Sequence, residues 1–483
     1  MNLENLPFDI LYTIFQLLNG KDLLYLSLTN KYFYGLLSDF RFFGSCLKED
    51  YHYGIWPSLH LIDNFLNDNL QVDLERISCL SNSAFEYNLI TIQSDIFLHK
   101  FTILPPSKDV CMIIKQEVNE LEMERIFRLR NLTALTIKLS SPTVIHMVIH
   151  QIHTLHLKEL DLSECHLSDT ALQILSFNLS RTALSILDCS KNIITDVGVA
   201  ELSKHLPHTN IKELNLSMNY IRKEGLKMIV AALPNSLIKS LDISFNDFEN
   251  QDLCILYKVL PETNLEILEG QITSEKSISA ITRNLKSSKI KSINLEISKE
   301  YLEEFLQCIV LSKVKYLEFT GIEVPFKNES ATILQNYINK LPVEHLKLNY
   351  CKIEEAHICR LLEQIPFNSK LKHLDIWGLD SVDVNIGKNI KNLSLDSLSI
   401  NYSGMTDDAL QDFAINMKLL KQLDLSGNSL TLVGILSFVN SIKHSTLYRL
   451  NLGFNIRESS ELARARRKIR EVLECNRIIN VHV

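Results

Sequence analysis

The sequence LKELDLSECHL at residues 157–167 decides the fold, because copies of its pattern follow along the chain. The next three are LSILDCSKNII (184–194), IKELNLSMNYI (211–221) and IKSLDISFNDF (238–248), each beginning 27 residues after the one before. Each has apolar residues at i, i+3, i+5 and i+10, and Asn or Cys at i+8. Looser copies begin at 132, 265, 290, 314, 343, 371 and 395, and regular ones return at 420 and 447, so thirteen repeats lie 24 to 29 residues apart. Such a period indicates stacked supersecondary units.

The spacing predicts a short strand in each repeat, because residues i+3 and i+5 share one face at period two. The segments between strands, such as 170–175 and 225–230, favour helix. This pattern resembles the leucine-rich repeat, in its ribonuclease-inhibitor-like and cysteine-containing forms. The resemblance implies an α/β solenoid with parallel strands on its concave face and helices on its convex face.

The polar residue at i+8 has a physical role where the chain turns away from the strand. A side-chain amide there can satisfy buried backbone groups, each of which would cost about 1–3 kcal/mol if left unpaired. Cys165 and Cys351 occupy this position with a small side chain and a weak S–H donor. The repeats at 265, 290, 314, 371 and 395 have neither Asn nor Cys there, so we expect the middle of the array to be less regular.

Residues 1–45 do not follow the repeat and predict three short amphipathic helices. Their order of apolar residues, with Leu6-Pro7 first and Lys21-Asp22-Leu23 later, resembles the F-box. The resemblance implies that a Skp-type adaptor, which links to cullin and RING subunits, contacts Leu6, Pro7, Ile10, Ile14, Leu18 and Leu23. The alternative is a plain helical cap in which these side chains pack on the solenoid.

The remaining boundaries follow from the ends of the repeat array. Residues 46–131 are expected to form a helical connector and an N-terminal cap that includes an irregular opening repeat. Leucine-rich repeats are expected over 132–456, and a basic helix that caps the array, with a tail, over 457–483.

Composition excludes several classes of function. The 483 residues carry a net charge of −7, which disfavours nucleic acid as a partner. No apolar run is long enough for a membrane span and no signal peptide is apparent, so no membrane role is expected. The ten cysteines have no CxxC pair, which indicates reduced thiols in the cytoplasm. The basic segment 461–470 leaves a nuclear location as an alternative.

No catalytic signature is present: the nucleophile elbow, the P-loop, the HExxH helix and the dinucleotide fingerprint are all absent. The nearest candidate is a group of His residues at 146, 150, 153 and 156. No Cys, Asp or Glu completes a zinc set, so solvated His is the preferred interpretation. We therefore expect no catalytic residue, no metal and no cofactor.

Residues at i+2, i+4 and i+6 of each strand are expected to line the concave face. At i+4 they form an acidic row, which favours a basic target, although Asp or Asn is also common repeat consensus at this position. Aromatic and His side chains collect in the second half of the same face and are the predicted substrate anchors. They are Tyr316, His345, Tyr350, His373, Trp377 and Tyr402.

Together these features predict a non-enzymatic substrate receptor of an SCF-type cullin-RING ubiquitin ligase. The adaptor would bind the F-box and a target protein would bind the concave face. One alternative is a leucine-rich-repeat scaffold or inhibitor without a ligase role. Another is a pathogen effector that uses this architecture in the host cytosol.

Overall fold

Strands and helices alternate through the residues that the computed structural model describes. These are 110–114, 120–127, 132–138, 141–322, 324–379, 386–390, 393–417, 419–442, 445–455 and 480–482. The predicted F-box-like module and most of the predicted connector lie outside the described residues, as does the predicted C-terminal helix. The described residues fall into two compact units, the first reaching Leu237 and including 245–247, and the second holding the rest.

The first unit pairs its strands in parallel, each with the next along the chain. The strands are β1 (Val110–Ile114), β2 (Leu132–Ile137), β3 (Glu159–Asp161), β4 (Ile186–Asp188) and β5 (Glu213–Asn215). The helices are α1 (Glu120–Phe127), α2 (Pro142–Gln151), α3 (Asp169–Leu179), α4 (Asp196–His205) and α5 (Lys223–Ala232). Strand β1 lies within the segment predicted as connector and cap.

The second unit contains β6 and a parallel sheet in which β7 to β15 follow chain order. Its strands are β6 (Ser240–Asp242), β7 (Ile267–Ile272), β8 (Ser292–Ile297), β9 (Tyr316–Thr320), β10 (His345–Asn349), β11 (His373–Trp377), β12 (Ser397–Asn401), β13 (Gln422–Asp424), β14 (Arg449–Asn451) and β15 (Asn480–His482). Its helices are α6 (Cys254–Val259), α7 (Glu275–Asn284), α8 (Lys299–Val310), α9 (Asn328–Gln335), α10 (Glu355–Glu363), α11 (Ile386–Asn389), α12 (Asp407–Asn416) and α13 (Leu432–Ser441).

The repeat prediction is confirmed strand by strand. Each predicted repeat contributes one strand, β2 to β14, at the expected place. The residues at i+3 and i+5 are buried, as Leu160 and Leu162 illustrate with exposures of 1% and 0%, except in the repeat at 265, where Gly270 at i+5 is half-buried. Strands β10, β11 and β12 alternate between half-buried and buried residues. One side of each strand therefore packs into the core and the other stays open.

The Asn at i+8 joins neighbouring repeats through buried hydrogen bonds. The Asn192 side-chain oxygen accepts from the Cys165 and Leu167 backbone N–H groups at 3.0 and 2.8 Å. Its amide nitrogen donates to the carbonyl of Leu162, also in the preceding repeat, at 2.9 Å. Asn219 repeats the arrangement one step later, and Asn428 repeats it in the second unit. Each Asn thus completes the backbone hydrogen bonding of the repeat before it.

Repeats without this Asn satisfy their turns differently. Strands β7 and β8 have six residues where the regular β3 to β6 have three, so the ladder pairs more of their backbone. After β9, the buried Glu296 carboxylate accepts from the Ile322 and Val324 N–H groups at 3.2 and 3.1 Å. Ser403 is fully buried and accepts from the Leu379 N–H at 3.3 Å. The expected irregularity therefore takes the form of longer strands and substitute acceptors, with the parallel pairing kept.

We expect Asn192→Ala to lower the free energy of unfolding by about 2–4 kcal/mol, because two buried N–H groups lose their acceptor. Urea unfolding followed by circular dichroism measures the loss. Asn210→Ala is the matched control, since Asn210 contributes one side-chain hydrogen bond, to the Thr182 carbonyl at 3.0 Å. That control should lose about 1 kcal/mol. Equal midpoints for the two variants would contradict the assigned role.

Candidate protein-binding face

The candidate site lies on the open face of the second unit, which we define as the side chains at i+2, i+4 and i+6 of β7 to β13. Register pairs His345 with Tyr316 on one side and with His373 on the other. It likewise pairs Asn349 with Trp377, and Trp377 with Asn401. Because adjacent strands are about 4.8 Å apart, side chains at matching positions form rows across the sheet.

The first group, at the start of the strands, consists of Tyr316, His345 and His373. The rings of Tyr316 and His345 have centroids 4.6 Å apart, and those of His345 and His373 are 5.4 Å apart. The His345 Nε2 atom lies 2.8 Å from Asp375 Oδ2. The Tyr316 hydroxyl donates to Glu318 Oε2 at 2.8 Å. Burial, and next this hydrogen bond, raise the pKa of Tyr316, so its hydroxyl stays a donor.

The second group, at the end of the strands, consists of Trp377 at i+6 and of Tyr350 and Tyr402, which stand at i+7 in the turns that follow β10 and β12 and so border the open face. The Trp377 ring lies 4.1 Å from the Tyr350 centroid and 5.5 Å from that of Tyr402. Tyr350 and Tyr402 are 45% and 49% exposed, whereas Trp377 is half-buried. The result is a partly exposed aromatic surface with Trp377 at its centre.

The structure divides the six predicted substrate-binding residues into these two groups. The six predicted adaptor-binding residues, Leu6, Pro7, Ile10, Ile14, Leu18 and Leu23, lie outside the described residues. Sequence reasoning overlooked Asn349, which lies beside Trp377, and Gly427, whose α-carbon borders the Tyr402 ring. The signal for Gly427 was its position at i+7, in the turn that follows a strand, where Tyr402 also stands in its own repeat.

The acidic residues at i+4 have a structural role in the regular repeats. Asp161 and Asp188 each accept a hydrogen bond from the backbone N–H two residues later, at 2.8 Å. In β9 the corresponding Glu318 is buried and lies 3.0 Å from the Lys347 ammonium and 3.1 Å from the Asn349 amide nitrogen. The carboxylates of the row therefore stabilise turns and strands, whatever they also contribute to binding.

Glu269 on β7 differs from the other acidic residues of the row, because its surroundings disfavour the charged form of its carboxyl group. Desolvation, and next the charges of Asp242 and Glu318, raise the pKa of Glu269 to about 6. Its side chain is nonetheless exposed, so we expect solvent to screen part of the effect. The open face at this end holds more negative charge than its own cations neutralise.

The described residues offer few groups that could make or break covalent bonds. Burial raises the pKa of the Cys165 thiol to about 12 and that of Cys308 to about 11, and it also raises the pKa of Cys189, Cys351 and Cys359. His146 and His150 stack with centroids 6.2 Å apart and are both exposed. Within the described ranges no three His, Cys, Asp or Glu side chains are grouped to hold a metal. None of the described helices has the length and apolarity to cross a membrane.

Comparison with family models gives a match for the N-terminal region as well as for the repeats. Residues 3–44 match the family model of the F-box domain, and residues 153–176 and 208–230 match that of the leucine-rich repeat. The chain combines an F-box domain with leucine-rich repeats. This combination supports, in general terms, an F-box substrate adaptor with protein partners. A comparison with curated proteins finds no match.

Three solved structures are similar to parts of this F-box and leucine-rich-repeat chain. The yeast Rad7 and Elc1 complex is 21% identical, with 68% of this chain and 81% of that chain covered and a TM-score of 0.44. An internalin (inlF) from Listeria monocytogenes is 16% identical, with 76% and 89% covered and a TM-score of 0.35. Actin-Binding Site 2 of leiomodin-1 is 17% identical, with 29% and 87% covered and a TM-score of 0.25. Because these scores are low, the fold assignment rests on the repeats and their strands.

We expect Glu269→Gln to stabilise the protein above about pH 6 and to make no difference below about pH 4.5, because its folded pKa is raised from 4.5 to about 6. Below pH 4.5 the carboxyl group is protonated in both the folded and the unfolded state, so it costs no stability. Above about pH 6 it is charged in both states, and the full cost of the charged form lowers the stability of the fold. After allowance for screening the gain should be about 1 kcal/mol or less. Thermal unfolding midpoints across this pH range measure it.

Glu266→Gln is the control, with the opposite sign. Hydrogen bonds from Lys239 and Lys291, each 2.8 Å long, lower the pKa of Glu266 to about 2. Its carboxylate therefore stabilises the fold above about pH 4.5, and this control should lose stability there. Loss of stability in both variants at neutral pH would contradict the assigned charge imbalance at Glu269.

Proposed function

We propose that this protein is the substrate-recognition subunit of an SCF-type cullin-RING ubiquitin ligase. Its F-box would bind a Skp-type adaptor, and through it the cullin and RING subunits. Its open face would bind the protein to be modified. The observation that carries the proposal is the F-box match at residues 3–44 on a chain whose later repeats present a partly exposed aromatic face.

The six residues assigned to adaptor contact all lie within the matched range 3–44. All six side chains are apolar; Leu6, Ile10, Ile14 and Leu18 recur at helical spacing, and Leu23 begins the second apolar run. A bundle of about forty residues has little interior of its own, so apolar side chains left over from it favour a partner. This supports an adaptor surface at the N-terminal module.

The chain itself is proposed to perform no bond chemistry. The raised thiol pKa values support this, because a protonated thiol is a weak nucleophile and the five cysteines concerned are held in that form. Ubiquitin transfer would be carried out by the subunits that the adaptor recruits. The described thiols are unpaired, which supports a reducing compartment such as the cytoplasm.

We expect Leu6→Ala/Pro7→Ala to abolish capture of a purified Skp-type adaptor that the unaltered chain retains. The reason is that the double substitution removes apolar area from the first predicted helix of the F-box without touching the repeats. A pull-down with purified components measures capture, and circular dichroism confirms that both proteins are folded.

Trp377→Phe is the matched control, since it alters the open face and leaves residues 3–44 unchanged. It should capture the adaptor as the unaltered chain does. Failure of the unaltered chain to bind the adaptor would overturn the ligase proposal and favour a scaffold whose N-terminal helices are only a cap. Equal capture by the double variant would overturn the residue assignment.

A further inference from the structure

In most of the described repeats the residue at i+7, in the turn after the strand, lies in the left-handed backbone region, although the repeats at 265, 290 and 314 depart from this. Gly378 and Gly427 occupy this position with φ of 76° and 70°. The other repeats that share this turn have a residue with a side chain there, and in the two repeats next to that of Gly378 it is Tyr350 or Tyr402, with φ of 53° and 50°. Glycine adopts this conformation freely, whereas a side chain bearing a Cβ is strained there. The two tyrosines are therefore placed against the local backbone preference.

Burial does not compensate for that strain. Tyr350 and Tyr402 remain 45% and 49% exposed, although each ring contacts Trp377. The Tyr402 ring also needs a glycine beside it, because a Cβ on Gly427 would come within 2.6–2.7 Å of its carbon atoms.

Phe245 and Phe454 share this strained turn position and are also exposed. The strain alone therefore does not mark a binding site. The two tyrosines differ because both contact the same Trp377 ring, and exposed aromatic rings grouped in this way favour contact with another molecule.

The same place offers a hydrogen-bond donor and an acceptor that are both buried and unpaired. Among the described residues, neither Trp377 Nε1 nor Asn349 Oδ1 has a hydrogen-bond partner. The two residues are paired in register on adjacent strands. The Asn349 amide nitrogen donates to Glu318 Oε1 at 3.1 Å, which fixes which end of the amide is the acceptor. A donor beside an acceptor matches the carbonyl and N–H of a peptide group.

The charges on the open face indicate which kind of peptide would bind there. The open face carries the carboxylates of Glu269, Glu296, Glu318, Asp375 and Asp424 and, within β7 to β13, the single ammonium of Lys347. Lys347 is already bound to Glu318. The raised pKa of Glu269 reflects desolvation and uncompensated negative charge on this face. Lysine and arginine side chains would neutralise that charge and also lie favourably against tyrosine and tryptophan rings.

We propose that Tyr350, Trp377, Tyr402 and Asn349 form a docking site for an extended, basic segment of a partner protein. The indole N–H of Trp377 donates to a backbone carbonyl of the segment, and Asn349 Oδ1 accepts from a backbone N–H. A lysine or arginine of the segment lies on the tyrosine rings. This inference rests on the proposed function, to which it adds the chemical class of the target.

The probe is an immobilised library of random synthetic peptides, each matched with a copy in which glutamate replaces lysine and arginine. Purified full-length protein is applied to it. We expect a set of basic peptides to bind and their glutamate copies to fail. Trp377→Phe keeps an aromatic ring, although a smaller one than indole, and removes the N–H, and should weaken binding of that set about tenfold, the equivalent of about 1.4 kcal/mol.

Tyr402→Gly separates a binding role from a structural one. It should abolish peptide binding while the thermal unfolding midpoint stays the same or rises, because glycine relieves the strain. Met218→Gly is the matched control, since Met218 occupies the same turn position in the first unit, with φ of 54° and 44% exposure. That variant should bind the peptides as the unaltered chain does.

The proposal is overturned if no peptide distinguishes the unaltered chain from Trp377→Phe, or if glutamate copies bind equally well. It is also overturned if Tyr402→Gly lowers the unfolding midpoint and leaves binding unchanged. Should Tyr402→Gly lose both stability and binding, the Trp377→Phe result decides. Adaptor capture through residues 3–44 is measured separately. If the chain captures the adaptor but binds no peptide, this inference alone is overturned. If it binds peptides but does not capture the adaptor, the ligase proposal alone is overturned.

Discussion

The fold depends on one constraint: backbone groups that the chain buries when it turns away from each short strand must find hydrogen-bond partners. In the regular repeats the partner is an asparagine of the following repeat, as Asn192 is for the turn of Cys165 and Leu167. No such repeat satisfies its own backbone alone, because the acceptor comes from its neighbour. Stacking is therefore a condition of folding for each repeat as well as a source of apolar burial.

The constraint also explains how the chain tolerates departures from its pattern. Where asparagine is missing, β7 and β8 extend to six residues and pair more backbone with each other. Glu296 supplies two acceptors to the turn after β9, although it belongs to the strand before. A buried carboxylate is a costly acceptor, but it can reach two N–H groups at once. The parallel sheet thus continues through repeats that lack the usual side chain.

Because one side of every strand is committed to the core, sequence freedom is concentrated on the open face and in the turns. Some acidic side chains there are tied to the fold, such as Asp161 and Asp188, which hold the backbone two residues ahead. Others leave charge uncompensated, as at Glu269. The turn position at i+7 shows a similar choice, since glycine satisfies the backbone at Gly427 and tyrosine strains it at Tyr402.

The sequence by itself determined the strands, the buried leucines and the asparagine bonds, because a period of 27 residues and an alternation of two are local patterns with a single structural solution. It also predicted the six aromatic and His residues, of which four stand at open-face positions and two, Tyr350 and Tyr402, in the turns beside it. Only the tertiary structure decided that they form two groups, because ring contacts depend on register and side-chain rotamers across separate repeats. The unpaired atoms of Trp377 and Asn349 likewise came from packing. The spacing of residues in the sequence does not show which polar atoms will lack a hydrogen-bond partner after the repeats have packed.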